Sequence, residues 1–386
     1  MKKSTLLLFA IAGGFAVGNL YFIQPLLAEI SNDLNTTASQ NGWLVTAVQI
    51  GYAAGIVFLL PMGDVRSRKL FVPIMVTLAG LAQIAVGSST SYVALIIALF
   101  LVGFTTISGQ ILIPLTNELS DESHRGRNVS FVVSGILIGI LGARTISGSL
   151  SDLTSWQTTF FIIGLANLAL AVALYRAIPV LEPKPGLAYH RLVTGTFELM
   201  AKNPWVLKVM GANAIGMLIF SSVWTSLTFL LSGPQFKMST TEIGLWGLFG
   251  LVGAIGARNT GRLIDSGKAE LAAKIAWIAT AASMVIGSFA EVSLVFLAIQ
   301  LFVMDAAFQA IGVTNQTKLI SSFPEARSRI NAGYVTMNFV GAALGSAVTA
   351  ILWPILGWAG IQWIGAVLAL FGLVLWALKN RPRLAE

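Results

Sequence analysis

Two ionisable side chains, Arg144 and Asp305, stand well inside long apolar stretches, and a charge in that setting costs enough to mark a functional candidate by default. Asp305 offers a carboxyl that an alternately hydrated cavity could load and unload with protons. Its alternative is a static polar group, hydrogen-bonded to neighbouring helices. Arg144 offers a planar guanidinium that could anchor an anionic group or change its electrostatic partner between states. Its alternatives are bonds to backbone carbonyls, or a side chain that snorkels toward the surface. At 1.5 Å per helical residue, Arg144 lies roughly 24 Å from one face and Asp305 roughly 20 Å from the other. Across a core about 30 Å thick, their depths differ by about 14 Å, so a direct ion pair is not the expectation. Little other chemistry is available: Cys is absent, and the two histidines, His124 and His190, fall in expected loops.

The elements that must hold these residues are apolar runs. Of 386 residues, 56% are hydrophobic and 10% charged, too few charges to build a water-facing surface. The runs lie near 5–30, 41–62, 69–88, 91–116, 128–150, 156–178, 205–231, 242–262, 270–289, 292–316, 330–353 and 358–378. Each is long enough to cross a bilayer as a helix, and barrel strands would be shorter with alternating polarity. Lys2 and Lys3 precede a run that continues without a convincing cleavage site, so it reads as an uncleaved first helix. Basic residues fall in alternate connections: Arg66, Arg68 and Lys69; Arg125 and Arg127; Lys184, Arg191 and Lys202; Arg262 and Lys268; Lys318, Arg327 and Arg329. Lys237 is the only basic residue expected in the opposite loops. By the positive-inside rule the basic loops and both termini, with Lys379, Arg381 and Arg383, are cytoplasmic. That dispersal, rather than nucleic-acid binding, explains the formal charge of +8.

The chain also repeats. Asp64 and Asp265 are about 200 residues apart, Arg125-Gly126-Arg127 returns as Arg327-Ser328-Arg329, and Gly139-x-x-x-Ala143 returns as Gly341-x-x-x-Gly345. The expected organisation is a six-helix bundle over 1–180, a cytoplasmic linker over 181–204 and a second six-helix bundle over 205–386. The linker is a plain tether, or carries a short amphipathic helix in its second part. Parallel six-helix repeats of this kind place a substrate site at mid-membrane between the halves.

Between spans two and three the chain reads Pro61-Met62-Gly63-Asp64-Val65-Arg66-Ser67-Arg68-Lys69. An acid at a helix end beside guanidinium groups can form a charge-assisted latch to a neighbouring helix, the alternative being ordinary headgroup charge. The segment resembles the loop signature of the major facilitator superfamily, G-x-x-x-D-R-x-G-R-[RK], with Asp64, Arg68 and Lys69 matching. Val65 and Ser67 depart from the signature. The second copy, Gly261 to Lys268 around Asp265, is degenerate.

Span five holds Gly135, Gly139, Gly142, Ala143 and Gly148, small residues that let helix backbones approach closely. Gly341 and Gly345 do so in the second half. The run resembles the superfamily's span-five antiporter signature, G-x-x-x-G-P-x-x-G-G, with Arg144 where Pro is usual. As a string it is similar to a bacterial drug/proton antiporter and sugar-efflux (arabinose efflux permease-like) branch. Asn19 to Leu27, Gln49 to Tyr52, Asn315-Gln316-Thr317 and Ala326 to Asn331 look like the same subgroup. Leu99 stands where the superfamily often carries a span-four Arg linked to proton coupling.

The resemblance implies an all-α integral membrane fold of about twelve transmembrane helices in two six-helix pseudo-repeats. It also implies that spans one, four, seven and ten line the cavity. Those spans carry Asn19, Gln24, Gln110, Asn213, Gln300 and Gln309, whereas the peripheral spans hold only Gln83, Asn167 and Gln362. Aromatic candidates are Tyr21, Phe22, Trp224 and Phe308.

The implied function is secondary transport of a small molecule by alternating access in the bacterial cytoplasmic (inner) membrane. Proton-coupled efflux is favoured, and the rival is proton-coupled uptake. The expected partners are substrate, protons and lipid, with no cofactor, no metal and no ATP-binding subunit. No G-x-x-x-x-G-K-[ST] or H-E-x-x-H occurs in the chain. A membrane-embedded enzyme would need more than one acid inside the spans, and a channel would normally use several like subunits.

Overall fold

The computed structural model describes residues 1–180, 189–250, 268–323 and 326–378. Among the described residues the chain is helical, with no strand. Nine helices among the described residues are long and apolar enough to cross a membrane. Continuous apolar sequence forces this outcome, because only an intrahelical ladder satisfies every backbone N–H and C=O in lipid. Outward apolar positions follow helical spacing: Leu70, Ile74, Leu78 and Leu81 are all exposed along one helix.

In chain order the helices of the first half are α1 (Lys3–Gly18), α2 (Leu27–Leu34), α3 (Ala38–Phe58), α4 (Met62–Val65) and α5 (Arg68–Gly87). They continue as α6 (Tyr92–Thr105), α7 (Ser108–Leu119), α8 (Arg125–Leu153) and α9 (Trp156–Ala177). The helix α10 (Tyr189–Lys202) covers the second part of the expected linker, whose residues 181–188 lie outside the described set. The rest are α11 (Pro204–Ser232), α12 (Thr240–Leu245), α13 (Ala269–Gly287), α14 (Leu294–Ser322) and α15 (Arg327–Ala377). Residues 251–267, most of expected span eight and all of the degenerate second loop up to Gly267, lie outside the described residues.

Three departures from uniform spans have local causes. Expected span one is interrupted: α1 stops at Gly18 and a short 3-10 turn at Gln24–Leu26 leads into α2. Pro25 supplies no N–H and its ring opposes the carbonyl four residues earlier, which weakens the helical ladder at this point. The exposed polar backbone is tolerable because residues 19–26 are all buried within protein. Expected span four is interrupted at Thr106, which sits at φ −83°, ψ 44° between α6 and α7. Expected spans eleven and twelve lie in α15, whose helical geometry breaks at Gly357 (φ 60°, ψ −164°), just beyond Pro354. That left-handed φ is one a glycine adopts without a Cβ clash.

By contacts, the chain forms two compact units. The first comprises Met1–Thr37, Ala47–Val193 and Ser232–Leu248; the second comprises Ala38–Thr46, Thr194–Leu231 and Phe249–Glu386. Within the first, α1 packs on α8 and α5 on α9. Carboxylates cap the start of α9: Glu29 accepts from the Trp156 amide at 3.1 Å, and Asp33 accepts from the Trp156 indole at 3.0 Å. Within the second, α13 packs on α14 and α15, and Trp205, Val206, Val209, Met210, Leu319, Ile330 and Tyr334 form one buried cluster.

Candidate functional site

The broken first span builds the surroundings of Arg144. Arg144 lies on α8 with only 3% of its surface exposed. Its Nε donates to Gln24 Oε1 at 2.7 Å. Its guanidinium carbon sits 4.7 Å from the centroid of the Tyr21 ring, a cation–π arrangement. Both partners come from the Asn19–Leu26 interruption, where a regular helix would have aimed them differently. From the other side, α12 and the turn after it press on α8. A Cβ on Gly244 would lie 2.5 Å from the Arg144 carbonyl oxygen, and one on Gly247 would lie 3.3 Å from the Arg144 Cβ. The contact is fixed at its end by Asp152, which accepts from Thr240 Oγ1 at 2.5 Å and from the Thr241 amide at 2.8 Å.

A second polar cluster joins the two interruptions of the first unit. Asn19 Nδ2 donates to Thr106 Oγ1 at 3.3 Å, so each break contributes one partner. Gln83 Nε2 donates to Asn19 Oδ1 at 3.1 Å, and Asn167 Nδ2 to the same oxygen at 3.3 Å. All four residues are buried. Gln83 and Asn167 therefore turn inward from helices expected at the periphery, and Asn19 is held by them. Gln110, half-buried on α7, donates to the Tyr52 hydroxyl at 3.2 Å.

In the second unit Asp305 is 3% exposed on α14, twelve residues after Ser293 caps that helix. On the same helix, Gln300 is fully buried and donates to Gln362 Oε1. Asn213 of α11 donates to Asn338 Oδ1 and accepts from Asn315 Nδ2 at 3.3 Å. Gln309 is half-buried. Phe308 stacks on Phe220 with centroids 4.8 Å apart, and Trp224, buried, tilts against Phe220 at 6.1 Å. In the first unit, Phe22 is buried against Phe15, with centroids 6.4 Å apart.

The loop signature forms a charge network in which Arg68, not Asp64, reaches the neighbouring helix. Arg68 Nη2 binds Asp64 Oδ1 at 3.1 Å, Nη1 binds Glu118 Oε2 at 2.6 Å, and Nε donates to the Gly63 carbonyl at 3.1 Å. Sequence reasoning missed Glu118. The signal available was an acid at the end of span four on the side of the basic loops. Lys69 sits over the Tyr175 ring at 5.6 Å, and Arg66 is exposed. Asp265 lies outside the described residues.

The small-residue motif shows where backbones meet. A Cβ on Gly139 would lie 2.2 Å from the Gly14 carbonyl oxygen, and one on Gly135 would lie 2.5 Å from that of Ala10. Ala143 takes part through its own Cβ, 3.4 Å from the position a Cβ would take on Gly18. In the second unit Gly341 and Gly345 stand equally close, 2.2 Å, to the carbonyls of Ala214 and Leu218. The α1–α8 crossing thus has a counterpart in α11–α15, the structural form of the sequence repeat. Gly148 meets Thr240, at 2.2 Å from its carbonyl oxygen. Gly142 meets only the Ile146 side chain of its own helix, at 3.7 Å.

The chain resembles known proteins in sequence and in fold. The family profile of the Major Facilitator Superfamily matches residues 9–329. The uncharacterized transporter YgaY of Escherichia coli O157:H7 is 37% identical over 97% of this chain and 95% of its own length. A probable transporter of Streptomyces coelicolor is 29% identical over 92% of this chain and 82% of its own. A bacterial homologue of the human lysosomal transporter Spinster, solved inward-facing and unoccupied, overlays with a TM-score of 0.77 at 14% identity, covering 97% of each chain. The nucleoside transporter NupG overlays with a TM-score of 0.75 at 16% identity, covering 97% of this chain and 100% of its own. With a family match over residues 9–329 and a relative 37% identical over nearly its whole length, the chain belongs to the Major Facilitator Superfamily and is a multi-pass membrane transporter of that type.

Proposed function

We propose that this transporter couples proton movement to the export of a small molecule across the bacterial cytoplasmic membrane, by alternating access and without an ATP-binding subunit. The observation that carries the proposal is Asp305, a carboxyl 3% exposed in the middle of a 29-residue apolar helix. A group so placed is retained at a cost that proton or substrate binding can justify. Arg144 supplies the complementary positive charge for substrate binding or for the change of state. Its fixed bond to Gln24 and its stacking on Tyr21 aim one edge of the guanidinium and leave its planar fork geometry essential. Efflux as the direction rests on the resemblance of the Gly135–Gly148 run to the antiporter signature. A cytoplasmic position for both termini and the 181–204 linker is supported by the positive-inside rule applied to the basic loops.

The test is substrate-dependent proton movement in proteoliposomes screened against metabolites and drugs. Proton release coupled to substrate loading supports export by exchange. Co-directional movement would assign uptake, and substrate flux with no proton movement would remove the coupling.

A further inference from the structure

One end of the second unit concentrates positive charge on an aromatic and apolar surface. Lys318, near the C-terminal end of α14, places Nζ 5.4 Å from the Trp376 ring centroid and 5.9 Å from that of Trp205. Lys208, in the first turns of α11, donates from Nζ to the carbonyl oxygen of Leu378, where α15 ends. Three helix ends therefore meet around two ammonium groups, one bonded at Leu378 and the other over the ring of Trp376, two residues earlier in the chain. Among the described residues neither lysine forms an ion pair with a carboxylate. Cation–π attraction fixes the Lys318 ammonium without neutralising it, so the two like charges repel across the cluster.

The rings are themselves held in place. Trp205 is 5% exposed within its hydrophobic cluster, and the Trp376 indole donates to Asn315 Oδ1 at 3.2 Å. Beside them Leu207 and Val374 are 46% and 55% exposed on helices long and apolar enough to cross a membrane, and Leu378, just past the end of α15, is 58% exposed. Tryptophan favours the headgroup level of a bilayer, and basic pockets between helix ends are where phospholipid headgroups bind. A ligand matching the whole surface carries a phosphate for the two lysines and acyl chains for the exposed apolar side chains. Inorganic phosphate would match only half of it.

We propose that Lys208, Lys318, Trp205 and Trp376 form a binding site for the headgroup of an anionic phospholipid. The lipid phosphate sits between the ammonium groups and its chains run along Leu207 and Val374. Occupancy ties the ends of α11, α14 and α15 together and relieves the repulsion between the lysines.

The experiment titrates the purified full-length chain in detergent with phosphatidylglycerol, with phosphatidylcholine and with inorganic phosphate. Retained lipid is read by native mass spectrometry and thermal stability is read in parallel. Phosphatidylglycerol should be retained and should raise the melting temperature. Its apparent affinity should fall roughly 30-fold in Lys208→Gln/Lys318→Gln, a factor of about five for each ammonium. It should survive in Lys208→Arg/Lys318→Arg, which also serves if the Gln variant does not fold. Lys274→Gln, an exposed lysine elsewhere, should bind as the wild type does. Equal retention by the Gln variant, or an equal loss in Lys274→Gln, overturns the site. Stabilisation by inorganic phosphate that matches phosphatidylglycerol overturns the lipid and assigns a free anion. Retention of phosphatidylcholine as strong as that of phosphatidylglycerol overturns the requirement for a net negative lipid.

Discussion

Arg144 Nε and Gln24 Oε1 are 2.7 Å apart although 120 residues separate them, and the contact exists because the first span is broken around Pro25. A continuous helix through residues 5–30 would carry Gln24 and Tyr21 past the guanidinium. The interruption is therefore part of the site, and it connects a local backbone rule to an intramembrane charge.

Arg144→Lys should keep membrane insertion and lose most transport. Lysine cannot hold the Gln24 bond, stack on Tyr21 and present a planar fork together, and loss of a charged hydrogen bond costs about 1.5–3 kcal/mol, or roughly tenfold or more in rate. Transport normalised to the protein level in membranes measures this. Full activity in Arg144→Lys reduces the requirement to positive charge, and full activity in Arg144→Ala removes the residue from function.

The Arg68–Glu118 pair should act on conformation rather than on substrate affinity. Asp64→Asn and Glu118→Gln should both shift the inward/outward balance and slow transport. A double-mutant cycle between Arg68 and Glu118 should give about 1 kcal/mol, because the Glu118 side chain is 43% exposed and solvent screens the pair. The chain has no native cysteine, so labelling of single introduced cysteines reads the balance cleanly. Variants that weaken substrate affinity with unchanged labelling contradict the latch.

Two glycines three residues apart in sequence should behave oppositely. Gly139→Ala forces a Cβ to within 2.2 Å of the Gly14 carbonyl oxygen and should destabilise by about 1–3 kcal/mol. Gly142→Ala meets only a side chain of its own helix and should be neutral, or stabilising by up to about 1 kcal/mol through helix propensity. Melting of the two variants in one detergent settles the comparison, and equal melting temperatures would refute the crossing as described.

Asn19→Leu should cost more than the bonds it removes, because the buried Gln83 amide loses its acceptor, whereas Asn167 keeps its bond to the Ile163 carbonyl at 3.0 Å. An unsatisfied buried group costs about 1–3 kcal/mol. Asn19→Leu/Gln83→Leu/Asn167→Leu should recover part of that loss. A triple variant less stable than the single one would show that the three amides do not act as a unit.

The membrane-crossing pattern was legible because hydropathy and loop charge are one-dimensional properties, and α5, α9 and α13 fall within a few residues of their expected spans. The small-residue spacing at Gly139 and Gly341 was visible in the sequence, but the backbones they meet, at Gly14 and Ala214, were not. Partner choice could not. Whether Gln83 and Asn167 face lipid or Asn19 depends on helix rotation, which a uniformly apolar helix does not declare. Glu118 was hidden for a similar reason, since its partner Arg68 belongs to a different loop. The interruption at Pro25 had a visible cause, but Thr106 had none comparable: it carries neither Pro nor Gly, and its break is stabilised by a contact from Asn19.

The role of Asp305 in proton coupling is measured most directly as substrate-induced pH change in sealed proteoliposomes, for the wild type and Asp305→Asn side by side. The wild type should move protons with substrate. Asp305→Asn should lose proton-driven accumulation against a gradient while retaining exchange or downhill flux, because the neutral amide has the shape of the protonated acid. Full proton movement by Asp305→Asn would contradict the central claim and place the coupling elsewhere.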